Sequence, residues 1–219
     1  MKKFAPVFLF LSIYMPLRAQ QIQTAGAFFR TVSDFYAGIR DYEADVQIAA
    51  GSTAMQGRVS FKRPDLLRVD FTRPNRQVIV FNGDVLTVYL PGRSAILNQS
   101  VRTSEARLAT AQGLSLMSRH YTIAYETGRD AVPLEEGSEE RVVKLLLTRK
   151  SASEGFSTIR LAINPDSKLI RRVEAATPQK IIFAFNFSGY RLNQGIPDQR
   201  FIYDPPPSAN NYNNFLFSE

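Results

Sequence analysis

Residues 57–92 read GRVSFKRPDLLRVDFTRPNRQVIVFNGDVLTVYLPG. Apolar side chains alternate with polar ones along Val59 and Phe61, then along Leu67, Val69 and Phe71. A period of two is the mark of a strand with one covered face. Two Arg-Pro pairs, Arg63-Pro64 and Arg73-Pro74, interrupt the alternation at turns. Asn82-Gly83 predicts a tight hairpin between residues 77–81 and 85–90, because Asn-Gly readily takes the positive φ values that hairpin turns prefer. The stretch therefore reads as four consecutive antiparallel strands.

Upstream, residues 21–38 carry Ala25, Phe28, Phe29, Val32, Phe35 and Tyr36 at helical spacing, which predicts an amphipathic helix ending near Gly38. Asp41–Ala50 alternates Tyr42, Ala44, Val46 and Ile48 against polar neighbours, and Gly51-Ser52 turns the chain into a strand over Thr53–Lys62. Downstream, residues 93–98 pair back after Pro91-Gly92. The pattern then changes: residues 103–112 are rich in Ala, Glu, Arg and Leu, with Ser104 or Thr103 as N-cap, and Gly113 interrupts this helical insertion. Strands follow over 121–127, 142–148, 158–163, 170–175 and 180–190, with an acidic loop at 132–141. Ten or eleven strands, a leading helix and a helical insertion predict one large antiparallel sheet, mainly β with helices (α+β), that must curl or be covered to keep its apolar face dry.

The first 19 residues read as a secretory signal peptide. Lys2 and Lys3 precede an apolar run over 4–15, and 16–19 ends on Ala19, the expected cleavage point. Pro6 and Pro16 oppose a buried helix there. Residues 20–219 are then one domain. Removing 1–19 takes away Lys2, Lys3 and Arg18 and no acidic residue, so the net charge falls from +7 to +4. This mild excess opposes a nucleic-acid partner, which needs a strongly clustered basic face. The chain has no cysteine, which excludes disulfides, thiol chemistry and a cysteine-linked lipid anchor, and one histidine leaves little for a transition metal.

Chemistry-bearing patterns are sparse. His120 has no companion base or nucleophile in a recognisable arrangement. Glu43 and Asp45 share a strand face at i, i+2 and imitate a carboxylate pair, but their alternation with apolar residues reads as a solvated face. An exported hydrolase using two carboxylates stays open as an alternative, without a positive sign. Lys62, Arg63, Arg68, Arg73 and Arg76 sit among aromatics as in single-strand nucleic-acid platforms, yet fit equally an outer face and its turns. Apolar surface remains: Val59, Phe61, Leu67, Val69, Phe71, Val80, Leu86 and Val88 as the inward set, with Leu114, Leu116 and Met117 from the insertion. Two accounts stand for these residues, an ordinary core and a cavity between a curled sheet and a helical lid, suited to acyl chains.

The central stretch also resembles the LolA family of periplasmic lipoprotein carriers. The carrying residues are Gly57, Lys62-Arg63-Pro64-Asp65-Leu66, Arg73-Pro74, the apolar strand to Phe81, Asn82-Gly83 and Tyr89-Leu90-Pro91. The preceding helix, Tyr42-x-Ala-x-Val46 and the insertion followed by Tyr121 agree with it. The resemblance implies an unclosed β-barrel whose cavity is covered by the N-terminal helix and a helical lid. It implies a monomeric, non-enzymatic periplasmic carrier with no cofactor. The carrier would take acylated lipoproteins from an inner-membrane ABC-type exporter and hand them to the outer membrane or an acceptor there. A carrier or sensor of another lipid on the same fold is the alternative. It implies that Arg63 binds backbone carbonyls of the lid and holds the empty form closed, with Leu114, Leu116 and Met117 moving as that lid. The cavity is expected to lack polar anchors. Members place aromatics where this chain has Leu67 and Val69. The Asn-rich residues 208–219 have no counterpart and are expected to form an extra strand or a contact of their own.

Overall fold

The computed structural model describes residues 23–100 and 111–214. The signal-peptide reading and residues 103–110 of the predicted insertion lie outside them, as do Phe215, Leu216 and Phe217.

Helix α1 (Ala25–Gly38) ends where expected but begins later than residue 21: the Thr24 hydroxyl accepts from the Ala27 N–H at 3.1 Å and so satisfies one of the free amides at the helix start. Strands β1 (Asp41–Ala50), β2 (Thr53–Lys62), β3 (Leu66–Arg73), β4 (Val78–Phe81), β5 (Val85–Leu90) and β6 (Ala95–Ser100) follow as successive antiparallel neighbours. Asn82 closes the β4–β5 turn, its side-chain oxygen accepting from the amides of Asp84 and Val85. Helix α2 (Ala111–His120) leads into β7 (Tyr121–Tyr125), and β8 (Val132–Pro133), β9 (Arg141–Arg149), β10 (Thr158–Ile163), β11 (Ile170–Ala176) and β12 (Ile182–Leu192) complete the second half. Gly113 does not interrupt α2 but lies buried inside it.

These strands form one sheet in the order β13-β6-β5-β4-β3-β2-β1-β12-β11-β10-β9-β7, with β8 beside β9. The ends do not meet, so the sheet is an unclosed barrel. Strand β13 (Asn210–Asn213) comes from the Asn-rich tail and pairs in parallel with β6, whereas every other pairing among the described residues is antiparallel. The two halves join at β1 and β12. There the buried Asp41 carboxylate accepts from the Gln194 amide at 2.7 Å and from the Gly195 amide, which fixes the far end of β12 against the start of β1.

The register aligns apolar residues across the concave face. One row runs Tyr125, Leu145, Leu161, Val173, Phe185, Ile48, Met55, through β7, β9, β10, β11, β12, β1 and β2. Helix α1 covers the β7–β11 half of this face. Phe28, Phe29 and Val32 pack there with Leu145, Leu147, Leu161 and Ile163, all nearly inaccessible. Each such side chain contributes about 1.5–3 kcal/mol by leaving water. The other half of the concave face, from β12 to β3, is not filled in this way.

Candidate functional site

Between that second half and the helices lies a cavity of about 280 Å³. Strands β1, β2, β3, β11 and β12 give Val46, Ile48, Val59, Phe61, Leu67, Val69, Val173, Phe185 and Phe187. The C-terminal end of α1 gives Tyr36, followed by Ile39, and α2 gives Leu114. A second apolar cavity of about 500 Å³ lies under the other side of α2, lined by Leu116, Met117, Phe156, Ile159 and Ala175 among others. Val173, Phe185 and Phe187 line both, so α2 straddles two chambers with a common wall. His120 stands exposed at the rim of the second, its Nδ1 2.9 Å from Glu154 Oε1.

The structure brings Val59, Phe61, Leu67 and Val69 together on the cavity wall, and Phe71 joins the buried cluster behind Val59 and Val69. Leu86 and Val88 share that face by register, opposite Phe81 and Ile79, but lie beyond the cavity. Val80 does not belong to the set. It pairs with Arg68 and Thr87, whose side chains lie on the convex face, and it is buried there. Strand β4 reads VIVF, apolar on both faces, so alternation could not orient it. The C-terminal segment covers the convex side at β3, where Arg68 Nη1 donates to the carbonyls of Arg200 and Ile202 and Tyr203 packs on Tyr89.

Arg63 sits at the end of β2 and its Nη1 donates to the Ala37 carbonyl at 2.6 Å. The guanidinium thus binds the last turn of α1, not α2, and one carbonyl among the described residues rather than several. A cation at a helix C-terminus also favours the helix dipole. The two mock-catalytic carboxylates are separately engaged: Glu43 accepts from Arg191 at 2.7 Å and Asp45 from Arg58 at 3.1 Å, with a bulge in the β1–β12 ladder between them.

Polar atoms do enter the cavity, contrary to expectation. Tyr36 and Tyr190 flank Ile170: the Ile170 amide donates to Tyr36 Oη at 3.0 Å, and Tyr190 Oη donates to the Ile170 carbonyl at 2.8 Å. Burial pushes the pKa values of Tyr36, Tyr42 and Tyr190 up, which keeps all three hydroxyls neutral. In the sequence Tyr36 stood out by its place on the apolar face of the helix and Tyr42 by its place in the β1 alternation, whereas Tyr190 had no such signal. No group of three or more His, Cys, Asp or Glu among the described residues could hold a metal ion.

Among the described residues, a half-open and almost wholly antiparallel sheet carries two helices across its concave face, with an apolar cavity between them. The profile of the outer membrane lipoprotein carrier protein LolA matches residues 46–204, and the chain belongs to that family. Among its relatives, the outer-membrane lipoprotein carrier protein of Chromohalobacter salexigens is 26% identical over 204 residues, which cover 90% of this chain and 91% of the relative. That of Pseudomonas paraeruginosa is 26% identical over 160 residues, 70% of this chain and 69% of its own. In fold, the chain is similar to the crystal structure of an uncharacterized conserved protein from Thermus thermophilus, with a TM-score of 0.56 at 15% identity over 84% of this chain and 98% of that one.

Proposed function

We propose that this protein is a periplasmic carrier that shields the acyl chains of lipoproteins and moves them from the inner to the outer membrane. One observation carries the reading. The concave face is a continuous apolar surface, and the helices leave its β12–β3 half lining a cavity instead of filling it. Apolar surface held open in this way is favourable to occupy, since each methylene moved from water contributes about 0.8 kcal/mol. The signal peptide at 1–19 would deliver the chain to the periplasm. No helix among the described residues is long and apolar enough to cross a membrane. The partners are an inner-membrane ABC-type exporter as donor and an outer-membrane acceptor, served by a monomer.

In the working cycle, α2 with Leu114, Leu116 and Met117 moves off the sheet, chains enter against Val59, Phe61, Leu67 and Val69, and the Arg63 tie to α1 favours the closed, empty form. Native mass spectrometry of the mature protein taken from the periplasm of its own cells tests this. Acylated peptides in the bound fraction support the carrier. Phospholipid or glycolipid alone points to a carrier or sensor of other lipids, and a ligand-free mass under loading conditions overturns the reading.

A further inference from the structure

Of the fifteen described residues that line the first cavity, only Tyr36, Tyr42 and Tyr190 have a polar side-chain atom. Two of these hydroxyls are held by the backbone of Ile170, one accepting from its amide and one donating to its carbonyl. The Tyr42 hydroxyl has no hydrogen-bond partner among the described residues, and Tyr42 lines the cavity. The ring is fixed between Phe61 (centroids 5.2 Å apart) and Tyr190 (5.8 Å), both of which line the same cavity. The ring is thus held in the wall of the cavity.

An unpaired hydroxyl in an apolar wall is unfavourable for the empty protein unless an occupant brings an acceptor. Among the described residues the lining offers no cation to receive an anionic head, so a neutral acceptor fits it. Resting on the acyl-chain reading above, we propose that Tyr42 donates a hydrogen bond to the carbonyl oxygen of an acyl ester or amide. The first cavity then selects acyl chains over plain alkyl chains and fixes how deep the chain runs. Burial holds the proton on Tyr42, so it acts as a donor.

Two probes of equal chain length separate the possibilities: methyl laurate, which has the carbonyl, and 1-methoxydodecane, which lacks it. Calorimetric titration of the wild-type protein is expected to show tighter binding of the ester by a factor of about two to twelve, the range of one net hydrogen bond. Tyr42→Phe keeps the ring and is expected to lose the preference, weakening the ester by about that factor and the ether, whose oxygen sits off the carbonyl position, by less, a double-mutant comparison read from four affinities. Equal binding of the two probes by the wild type, or an ester preference that survives in Tyr42→Phe, overturns the role of Tyr42 and leaves the acyl cavity standing. Failure of the wild type to bind either probe overturns both.

Discussion

Arg63 and Ala37 are joined by a 2.6 Å hydrogen bond that ties the turn after β2 to the last turn of α1. The bond is exposed, so its net worth is about 1 kcal/mol, a factor of about five in the closed-to-open ratio. Closing competes with the ligand. Arg63→Leu should therefore load acyl ligand more fully and release it about fivefold more slowly, read as transfer to acceptor vesicles. Transfer at the parent rate would remove the gating role.

Gly57 is where a side chain on β2 would collide with the backbone of β3. A Cβ there would stand 2.5 Å from the Asp70 carbonyl oxygen and 3.0 Å from Phe71 Cα, both backbone atoms, and the β2–β3 register shifts between Gln56 and Gly57. No rotamer relieves such a contact. Gly57→Ala is expected to cost about 1–3 kcal/mol in urea unfolding. An unchanged midpoint would mean that the two strands separate freely at this point.

Asp70 governs how the C-terminal segment holds in acid. Burial alone would raise its pKa. The hydrogen bonds and charges of Arg68 and Arg200 outweigh that, and the carboxyl titrates below the usual aspartate range. A depressed folded-state pKa gives stability that is fully present above the unfolded value, about 3.9, and is lost as pH falls through the folded one. Amide protection factors around residues 198–203, which are corrected for the intrinsic pH dependence of exchange, should therefore fall on acidification below about pH 4. In Asp70→Asn the same amides should be less protected at neutral pH and show little further loss of protection in acid.

Much of the fold was legible because the informative residues act locally. Asp41–Ala50 and Thr53–Lys62 alternate cleanly, and the strands occupy those bounds. Asn82-Gly83 marked its hairpin through turn chemistry alone. Four of the eight predicted wall residues reach the cavity for the same reason. Where the sequence misled, the deciding partner was distant. Val80 is buried on the convex face, and Arg68 donates to two carbonyls more than 130 residues away, those of Arg200 and Ile202. Tyr190 belongs to the cavity only because β12 lies beside β1. Gly113 costs helix propensity, yet α2 runs through it, since tertiary packing outweighs a local penalty of about 1 kcal/mol.

The pairing of β1 with β12 also sets an order on folding. β2 follows β1 by a short turn, so that edge is covered early. The opposite edge waits for residues 182–192, and the clamp from Asp41 to Gln194 closes across 153 positions of chain. Closing so long a loop is entropically slow. The amides of β1 facing β12 thus remain an open sheet edge until nearly the whole chain is available, and that edge is where a chaperone or an unwanted strand would first attach.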